Sequence, residues 1–327
     1  MYDALTIRIS RIIYCLVSKK CKEVSMDLKN VLVITSSIDE TVTYIICKYS
    51  NMVNFFRVDV DRFNTYRFYI DSNGWSIADE YSQIESSNVC SIYYRKPILP
   101  DLSSYDSQYH LMIQRDIISL INGIADSFPG KVLTRPSILR RTENKIYQLL
   151  YAGQKGLNIP SSYIGNHNDD CGEYEKSASI IKPITTGKTH GQNGWELYQT
   201  SMFSGIDEDI SFTPVYLQNY IPKLFEVRIT IIGENVYPIR IDTRNKVDWR
   251  ADYENHKYSK IICPNHIIEK CYQLLEDFSL KYGAFDFIVT PKNEWVFLEV
   301  NPNGQWLWLE QSLELDISKK IVEYLVS

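Results

Sequence analysis

Apolar residues near the start of the chain recur at two different spacings, which predict strands and helices in alternation. The apolar run at residues 31–34 predicts a buried strand, and a second run at residues 55–58 predicts another. Between them, apolar positions follow helical spacing over residues 40–49, so we predict a helix there. A strand, a helix and a strand in this order indicate a βαβ unit with a parallel sheet.

The first part of the chain continues in the same manner. Residues 66–70 and 75–77 alternate between apolar and polar on either side of Asp71-Ser72-Asn73-Gly74, which predicts a hairpin. Residues 91–94 predict a further strand, and helical spacing over residues 105–126 predicts a long helix. Together these elements predict an α/β domain.

The second half of the chain carries more strands than helices. Thr142 is predicted to cap a helix that extends to Gln154, and a second helix is predicted over residues 267–282. Apolar runs predict strands at residues 180–183, 215–218, 227–232, 237–241, 285–289 and 295–300. We therefore expect a mixed α/β (α+β) chain with more than one folded unit, which its 327 residues also favour.

Composition and charge exclude several classes of protein. Apolar residues make up 44% and charged residues 23%, as in ordinary globular proteins. The formal net charge of −5 gives no basic surface, so we expect no nucleic-acid partner. No stretch approaches the ~20 apolar residues of a membrane span, so we expect no membrane partner. The seven cysteines contain no CxxC pair, which favours reduced thiols in the cytoplasm.

Residues 1–30 have a different pattern from the rest. Isoleucines alternate with Arg8 and Arg11 and are followed by several lysines, a combination compatible with a helix on a membrane surface. No small-residue cleavage site follows, so the segment is a poor signal peptide. We interpret it as an N-terminal extension.

The strongest candidate site combines two predicted strands near the C-terminus. Glu299 and Asn301 are two residues apart, so at a strand end they project to the same face. Asp286 lies on the preceding strand, from which it could point into the same space. Two carboxylates and an amide oxygen form a hard donor set suited to Mg²⁺. The alternative is a strand-end turn beside a surface carboxylate.

A second candidate site would bind phosphate. Lys182 interrupts an apolar run just before a loop rich in Thr and Gly, where a lysine is costly unless it meets an anion. Thr186 and Gly187 in this loop offer a hydroxyl and backbone N–H groups to the same phosphates. The Gly-Lys-Thr that begins at Gly187 is not a Walker A motif, because the required earlier glycine is replaced by Lys182. Lys145, at a predicted helix start, is by itself a weak signal.

Polar residues also follow the next strands. The segment Gln218-Asn219-Tyr220-Ile221-Pro222 predicts a hinge whose backbone could meet an adenine ring. Glu226 and Arg228 share one face of the following strand. Further candidates for binding carboxylates and phosphates, or for surface salt bridges, are Arg240, Asp242, Arg244 and Arg250.

In order along the chain, these residues resemble the ATP-grasp superfamily, and most closely its microviridin-type (graspetide) peptide-maturing ligases. The resemblance covers roughly residues 30–327. It includes Tyr93-Tyr94-Arg95-Lys96-Pro97 in the first domain, Asp248-Trp249-Arg250, and the C-terminal segment from Asn301 to Trp306. The chain departs from the family at Lys96, where a second arginine is frequent, and at Asn219, where the hinge often has glutamate.

The resemblance implies roles for the candidates. Lys145 and Lys182 would contact the ATP phosphates, Gln218, Tyr220 and Ile221 the adenine, and Glu226 the ribose. Asp286, Glu299 and Asn301 would hold Mg²⁺. Arg228, Asp242 and Arg250 are the catalytic candidates, of which the two arginines would steady the phosphoryl group or acyl phosphate. Arg240 and Arg244 are the substrate-binding candidates.

The expected architecture is an N-terminal extension (1–30), a pre-ATP-grasp α/β domain (31–140), a lid subdomain (141–217) and a C-terminal core (218–327). The expected activity is ATP-dependent closure of ester or amide rings between side chains of a ribosomally made precursor peptide, through an acyl phosphate. The resemblance also implies a homo-oligomer. Two alternatives stay open: a ligase for a small molecule or a protein tail, and a catalytically silent nucleotide-binding module.

Overall fold

The first domain is built on a parallel sheet. The computed structural model describes residues 28–185, 188–191, 194–197, 200–245, 247 and 256–327. Strand β1 (Asn30–Thr35), helix α1 (Glu40–Tyr49) and strand β2 (Asn54–Asp59) form the predicted βαβ unit, with β1 and β2 parallel. The Asp39 carboxylate caps α1 by accepting a hydrogen bond from Val42 N at 3.0 Å.

The hairpin and the long helix are also present. Strands β3 (Arg67–Asp71), β4 (Gly74–Ala78) and β5 (Gln83–Glu85) form a small antiparallel sheet. Strand β6 (Val89–Tyr94), helix α2 (Ser107–Ser127) and strand β7 (Lys131–Leu133) complete the main sheet, whose order is β2-β1-β6-β7. All its pairs are parallel, so the carboxyl ends of its strands lie at one edge.

One predicted helix start is wrong. Thr142 ends helix α3 (Pro136–Thr142), where its hydroxyl donates to Ile138 O at 2.8 Å. The next helix, α4 (Lys145–Gln154), is capped by Asn144, which accepts from the N–H groups of Ile146 and Tyr147 at 3.0 Å each. Asn and Thr are both good capping residues, and the sequence did not show that a separate short helix came first.

A second, antiparallel sheet follows α4. Its members are β8 (Ser162–Gly165), β9 (Ser179–Lys182), β12 (Ser201–Met202) and β13 (Val215–Asn219), in the order β12-β9-β13-β8. A short helix α5 (Gly172–Lys176) lies between the first two, and the hairpin β10 (Lys188–Gly191) and β11 (Gly194–Leu197) lies between the next two. This sheet carries Lys182 and Gln218.

The third sheet has five antiparallel strands. Its order is β16-β15-β14-β17-β18. The strands are β14 (Phe225–Ile232), β15 (Asn235–Asp242), β16 (Lys257–Lys260), β17 (Tyr282–Val289) and β18 (Trp295–Asn301). Helix α6 (Asn265–Asp277) ends earlier than predicted. One face of this sheet packs on α6, and the opposite face carries the candidate site.

The two faces of β14 have different functions. Val227 and Ile229 pack with Leu274 and Leu275 of α6, together with Phe285 and Phe287 from β17, in one apolar core. Glu226, Arg228 and Thr230 alternate with them and project to the opposite face. Charged residues on a fully buried strand are costly unless they have partners, which marks this second face as the polar site.

The C-terminal helices return to the first domain. The sequence analysis did not predict α7 (Leu307–Leu313) and α8 (Ile317–Val326). Ile317 and Ile321 of α8 pack with Val31 and Val33 of β1, so the chain end stabilises the N-terminal sheet. The predicted domain bounds stay a prediction. In the described part of the chain, no helix has the length and apolarity needed to cross a membrane.

Candidate active site

Three charged residues form a row across the polar face of the five-stranded sheet. Arg228 on β14 is directly opposite Asp286 on β17, and Asp286 is directly opposite Glu299 on β18. Directly paired residues of antiparallel strands share a face and lie ~5 Å apart at their Cβ atoms. The sheet thus places one guanidinium and two carboxylates side by side.

An irregularity in β18 places Glu299 in this row. Asp286 pairs with Glu299, but the next residue, Phe287, pairs with Phe297, so Leu298 is an extra residue in the strand. In a regular strand Phe297 and Glu299 would face the same side. The bulge lets Phe297 enter the apolar core while Glu299 faces the site. Such bulges re-aim side chains next to active sites.

Asn301 completes the group. Its Nδ2 donates to Asp286 Oδ2 and to Glu299 Oε1, both at 3.2 Å. The three residues therefore come together, as the sequence predicted. A rotation of the Asn301 amide about its last side-chain bond would direct Oδ1 to the same point and give three oxygen donors.

This donor set fits Mg²⁺. Carboxylate and amide oxygens are the hard ligands that Mg²⁺ prefers, and it binds with few protein ligands because it keeps several waters. Two carboxylates at one amide group also repel each other, which a divalent cation would relieve. Among the described residues no group of three or more His, Cys, Asp or Glu side chains forms a metal site. The candidate metal site thus depends on Asn301 as the third ligand.

Arg228 lies between Asp286 and the loop that follows Asn301. Its Nη1 lies 3.7 Å from Asp286 Oδ1, and both side chains are buried. Its Nε is buried without a hydrogen-bond partner in the described part of the chain, so an anionic ligand would satisfy a donor that the protein leaves unpaired. A Cβ at Gly304 would lie only 3.0 Å from Arg228 Nη2, so glycine is needed where the guanidinium passes.

A cleft beside Glu299 collects the residues predicted to bind nucleotide. Lys145, Lys182, Gln218 and Glu299 line the same cleft between α4, β9, β13 and β18. Lys145 Nζ donates to Pro183 O at 2.7 Å, which brings the start of α4 to the end of β9. The cleft joins the metal candidates at Glu299.

Lys182 is held in place by two contacts within this cleft. Its Nζ donates to Gln218 Oε1 at 3.2 Å and lies 4.2 Å from the centre of the Tyr216 ring. Gln218 is buried, and its Nε2 donates to Ser162 Oγ at 2.9 Å. These contacts orient the ammonium group within the cleft, where a phosphate would meet it.

The hinge begins with the last two residues of β13, Gln218 and Asn219, and continues as the chain leaves the second sheet. Tyr220 N donates to Ala178 O at 2.9 Å, which fixes the chain as it leaves the sheet, and Ile221 is partly exposed. Thr186, Gly187 and Arg250 lie outside the described residues. Their predicted roles stay predictions.

Glu226 lies on the polar face, two residues before Arg228. Its carboxylate forms a buried ion pair with Lys223, and both side chains are 7% exposed. A buried carboxylate with one cation at its side is well positioned to accept hydrogen bonds from a ligand hydroxyl. Its predicted role near a ribose stays a prediction.

Arg240 and Asp242 are not brought to this face. Arg240 is directly opposite Val227 on β14, and its guanidinium lies 4.0 Å from the centre of the Phe225 ring. Phe225 and Val227 belong to the core on the α6 side. Arg240 Nε and Nη2 donate to Asp242 at 2.8 and 2.7 Å, so the two side chains pair with each other. Arg244 is exposed beyond the strand end.

Residues of the first domain also reach the site, which the residue-based reasoning did not predict. Arg95 is 1% exposed, and its Nη1 donates to Asn303 Oδ1 at 3.2 Å and lies 3.5 Å from Gly304 O. Its Nη2 donates to Gln305 Oε1, and its Nε lies 3.2 Å from Asp39 Oδ2. The sequence feature that could have indicated this role is a charged residue at the end of an apolar strand. Arg95 entered the sequence analysis through the family resemblance alone.

The loop after Asn301 is therefore fixed from both sides. Tyr282 Oη donates to Gly304 O at 2.9 Å, and burial raises the pKa of this tyrosine, so it remains a donor. Arg95 reaches the same carbonyl from the first domain. Because the loop begins at Asn301, these contacts hold the third metal candidate in its position.

Comparison with known proteins identifies the class. No protein-family model and no curated protein sequence matches the chain. Among solved structures, the macrocyclase MdnC bound with precursor peptide MdnA, from Microcystis aeruginosa MRC, is similar with 28% identity and a TM-score of 0.82. The similarity covers 91% of this chain and 99% of that one.

Two further structures show the breadth of the similarity. A RiPP-associated ATP-grasp ligase from Chryseobacterium gregarium, in complex with ADP and a leader and core peptide, has 24% identity and a TM-score of 0.81 over 91% of this chain and 96% of that one. D-alanyl-alanine synthetase A from Vibrio cholerae has 12% identity and a TM-score of 0.59 over 92% and 98%. Since these identities are below 25%, the two comparisons establish the fold.

The chain has the ATP-grasp fold, as the sequence predicted. Within this class it is similar to peptide macrocyclases, which confirms the predicted resemblance to the microviridin-type ligases.

Proposed function

We propose that this chain uses ATP and Mg²⁺ to close rings between side chains of a ribosomally made precursor peptide. The observation that carries the proposal is the row Arg228–Asp286–Glu299 with Asn301, on a chain whose whole fold matches that of a peptide macrocyclase. A silent nucleotide-binding module would not need an intact donor set beside an unpaired arginine donor. Homo-oligomerisation and a cytoplasmic location stay predictions.

The nucleotide would lie in the cleft beside Glu299. Lys145 and Lys182 line it and would bind the phosphates, while the hinge at Gln218, Tyr220 and Ile221 would meet the adenine. Glu226 would accept hydrogen bonds from the ribose. Thr186 and Gly187 would add contacts to the phosphates from the loop after β9.

Asp286, Glu299 and Asn301 would hold Mg²⁺. A magnesium ion there would neutralise charge on the ATP phosphates and on the phosphoryl group as it transfers. Arg228 would add a cation that stays fixed throughout, because its strand and its partner Asp286 are both buried. Preorganised charges of this kind are the largest contribution to many enzymatic rates.

The reaction would have two transfers. First, an oxygen of a substrate carboxylate attacks the γ-phosphorus, the bond to the β-phosphate oxygen breaks, and ADP leaves with that electron pair. The product is an acyl phosphate. Next, a Thr or Ser hydroxyl or a Lys amine attacks the acyl carbon, loses its proton to solvent, and phosphate leaves. Arg228 would steady the phosphoryl oxygens in both steps, and Arg250 is a further proposed participant.

The peptide substrate is favoured over a small amino acid because the match to MdnC has 28% identity and a TM-score of 0.82, against 12% and 0.59 for D-alanyl-alanine synthetase A. An acidic core peptide would need local cations, because this chain is itself acidic. Arg240, near the end of β15, and Arg244, beyond that end, are proposed to contribute to that attraction. The fold similarity to D-alanyl-alanine synthetase keeps a small-molecule ligase as the second candidate.

Trapping the acyl phosphate tests the proposal. The chain would be incubated with ATP, Mg²⁺ and a precursor-type peptide with a Thr- and Glu-rich core, with hydroxylamine added. The expected result is ADP release together with hydroxamates on peptide carboxylates. Hydroxamate on free glutamate, with the peptide unchanged, would instead establish the small-molecule ligase.

A further inference from the structure

Lys96 is a charged residue of the first domain that takes no part in the proposed reaction. It follows Arg95 directly at the carboxyl end of β6, the edge of a parallel sheet where ligands commonly bind. Its φ of +44° is a left-handed conformation that a lysine adopts only with strain. Such strain often marks a functional position.

The carboxyl end of β6 and Arg228 meet at the loop that contains Gly304. Arg95 reaches the Gly304 carbonyl from one side, and Arg228 Nη2 passes 3.0 Å from the position of a Gly304 Cβ on the other. Both arginines therefore lie next to the same residue, Gly304. Since Arg95 is buried and held by Asp39, Asn303 and Gln305, the next residue has little freedom to move away.

The electrostatics agree with this placement. Lys96 is exposed, but partial desolvation by the surrounding protein and the neighbouring cations Arg95 and Arg228 lower its pKa to about 8. Asp39 and Glu143 are the anions that act on it in the opposite direction. The Lys96 ammonium group and the Arg228 guanidinium repel each other, and an anionic ligand bound between them would remove that repulsion.

The row Arg228–Asp286–Glu299 separates two ends of the site. The nucleotide cleft meets the row at Glu299 on β18, whereas Arg95, the neighbour of Lys96, reaches Gly304 beside Arg228 on β14, two strands away. Neighbouring strands are ~4.8 Å apart, so the two ends are separated by roughly 10 Å. An anion held at the Arg228 end would therefore face the γ-phosphate across the metal candidates.

We propose that Lys96 and Arg228 together bind the substrate carboxylate that is to be phosphorylated. The inference rests on the proposed ligase function and identifies the end of the site from which the acid enters. Lys96 supplies a mobile ammonium group and Arg228 a fixed planar guanidinium. Two such cations would hold a single carboxylate at the end of the site away from the nucleotide cleft.

The test uses whichever carboxylate substrate, peptide or free glutamate, drives ADP release by the wild type. Lys96→Met should raise the KM for that substrate at least tenfold while the KM for ATP changes less than twofold. Lys96→Arg, which keeps the charge, should recover most of the loss. Lys319→Met, at an exposed position of α8, is the matched control, and thermal unfolding of all variants checks the fold.

The pH dependence gives a second readout. Lys96 is charged below its pKa of about 8, so kcat/KM for the carboxylate substrate should fall as the pH rises through this value. Lys96→Arg should move that fall to a higher pH. An unchanged carboxylate KM in Lys96→Met overturns the proposal, and a rise in the KM for ATP instead assigns Lys96 to the nucleotide phosphates. If free glutamate drives ADP release and the peptide does not, the peptide substrate is overturned but the role of Lys96 is not.

Discussion

Arg228 and Asp286 occupy directly paired positions on β14 and β17, and their side chains form a buried ion pair with 3.7 Å between Nη1 and Oδ1. The pair places a carboxylate that would bind Mg²⁺ beside a guanidinium that would bind phosphoryl oxygens. Asp286 faces the metal candidates, and Arg228 faces the loop at Gly304. A change at one of these residues is therefore expected to alter the other.

The metal assignment predicts the behaviour of Glu299→Gln. Removing one carboxylate should lower kcat for ADP release by at least about 100-fold, or ~2.7 kcal/mol of transition-state stabilisation. Glu299 lies at a strand end and shares an amide donor with Asp286, so loss of its charge also reduces repulsion. The unfolding temperature without Mg²⁺ should thus be unchanged or higher. ADP release and calorimetry with and without Mg²⁺ measure both effects.

The geometry of Arg228 predicts that lysine cannot replace it. Arg228→Lys keeps one charge but loses the planar fork that spans Asp286 and the Gly304 region. We expect kcat to fall about 100-fold with little change in the KM for ATP. Steady-state kinetics at varied ATP separates the two quantities. Equal effects on both would make Arg228 a nucleotide ligand.

Gly304 should not tolerate a methyl group. In Gly304→Ala the added Cβ would lie 2.7 Å from Ala284 Cβ and 3.0 Å from Arg228 Nη2, so the loop or the arginine must move. We expect destabilisation of about 1–3 kcal/mol and a loss of ADP release beyond that explained by unfolding. Urea unfolding and activity assays measure the two.

Gly123→Ala is the matched control for this variant. Gly123 lies in α2, and no atom is within 4 Å of its added Cβ. This substitution should stabilise the chain by about 0.5–1 kcal/mol and leave activity unchanged. If Gly304→Ala were as active as this control, the close approach to Arg228 would have no functional role.

The sequence predicted those parts of the fold and site that depend on local patterns. The βαβ unit from β1 to β2 followed from apolar spacing, and Glu299 with Asn301 followed from their two-residue separation. The order of candidates along the chain sufficed for the ATP-grasp resemblance. Each of these inferences uses neighbours in sequence or a family pattern.

Long-range packing determined what the sequence did not show. Strict two-residue alternation would have put Phe297 and Glu299 on one face, and the bulge at Leu298 reverses this because Phe297 is needed in the α6 core. Arg240 was grouped with Arg228, but the register of β15 against β14 directs it to the other face. The contacts of Arg95 join residues that are more than 200 positions apart.

The central claim is that this chain dehydrates a peptide at the expense of ATP, and the mass of the peptide tests it most directly. The wild type and Glu299→Gln would each be incubated with ATP, Mg²⁺ and a precursor-type peptide with a Thr- and Glu-rich core, and the intact peptide weighed. The account predicts loss of one water for each ring with the wild type, restored by mild base if the links are esters, and no loss with Glu299→Gln. An unchanged peptide mass with the wild type, while ADP accumulates with free glutamate or another small amine, would contradict it.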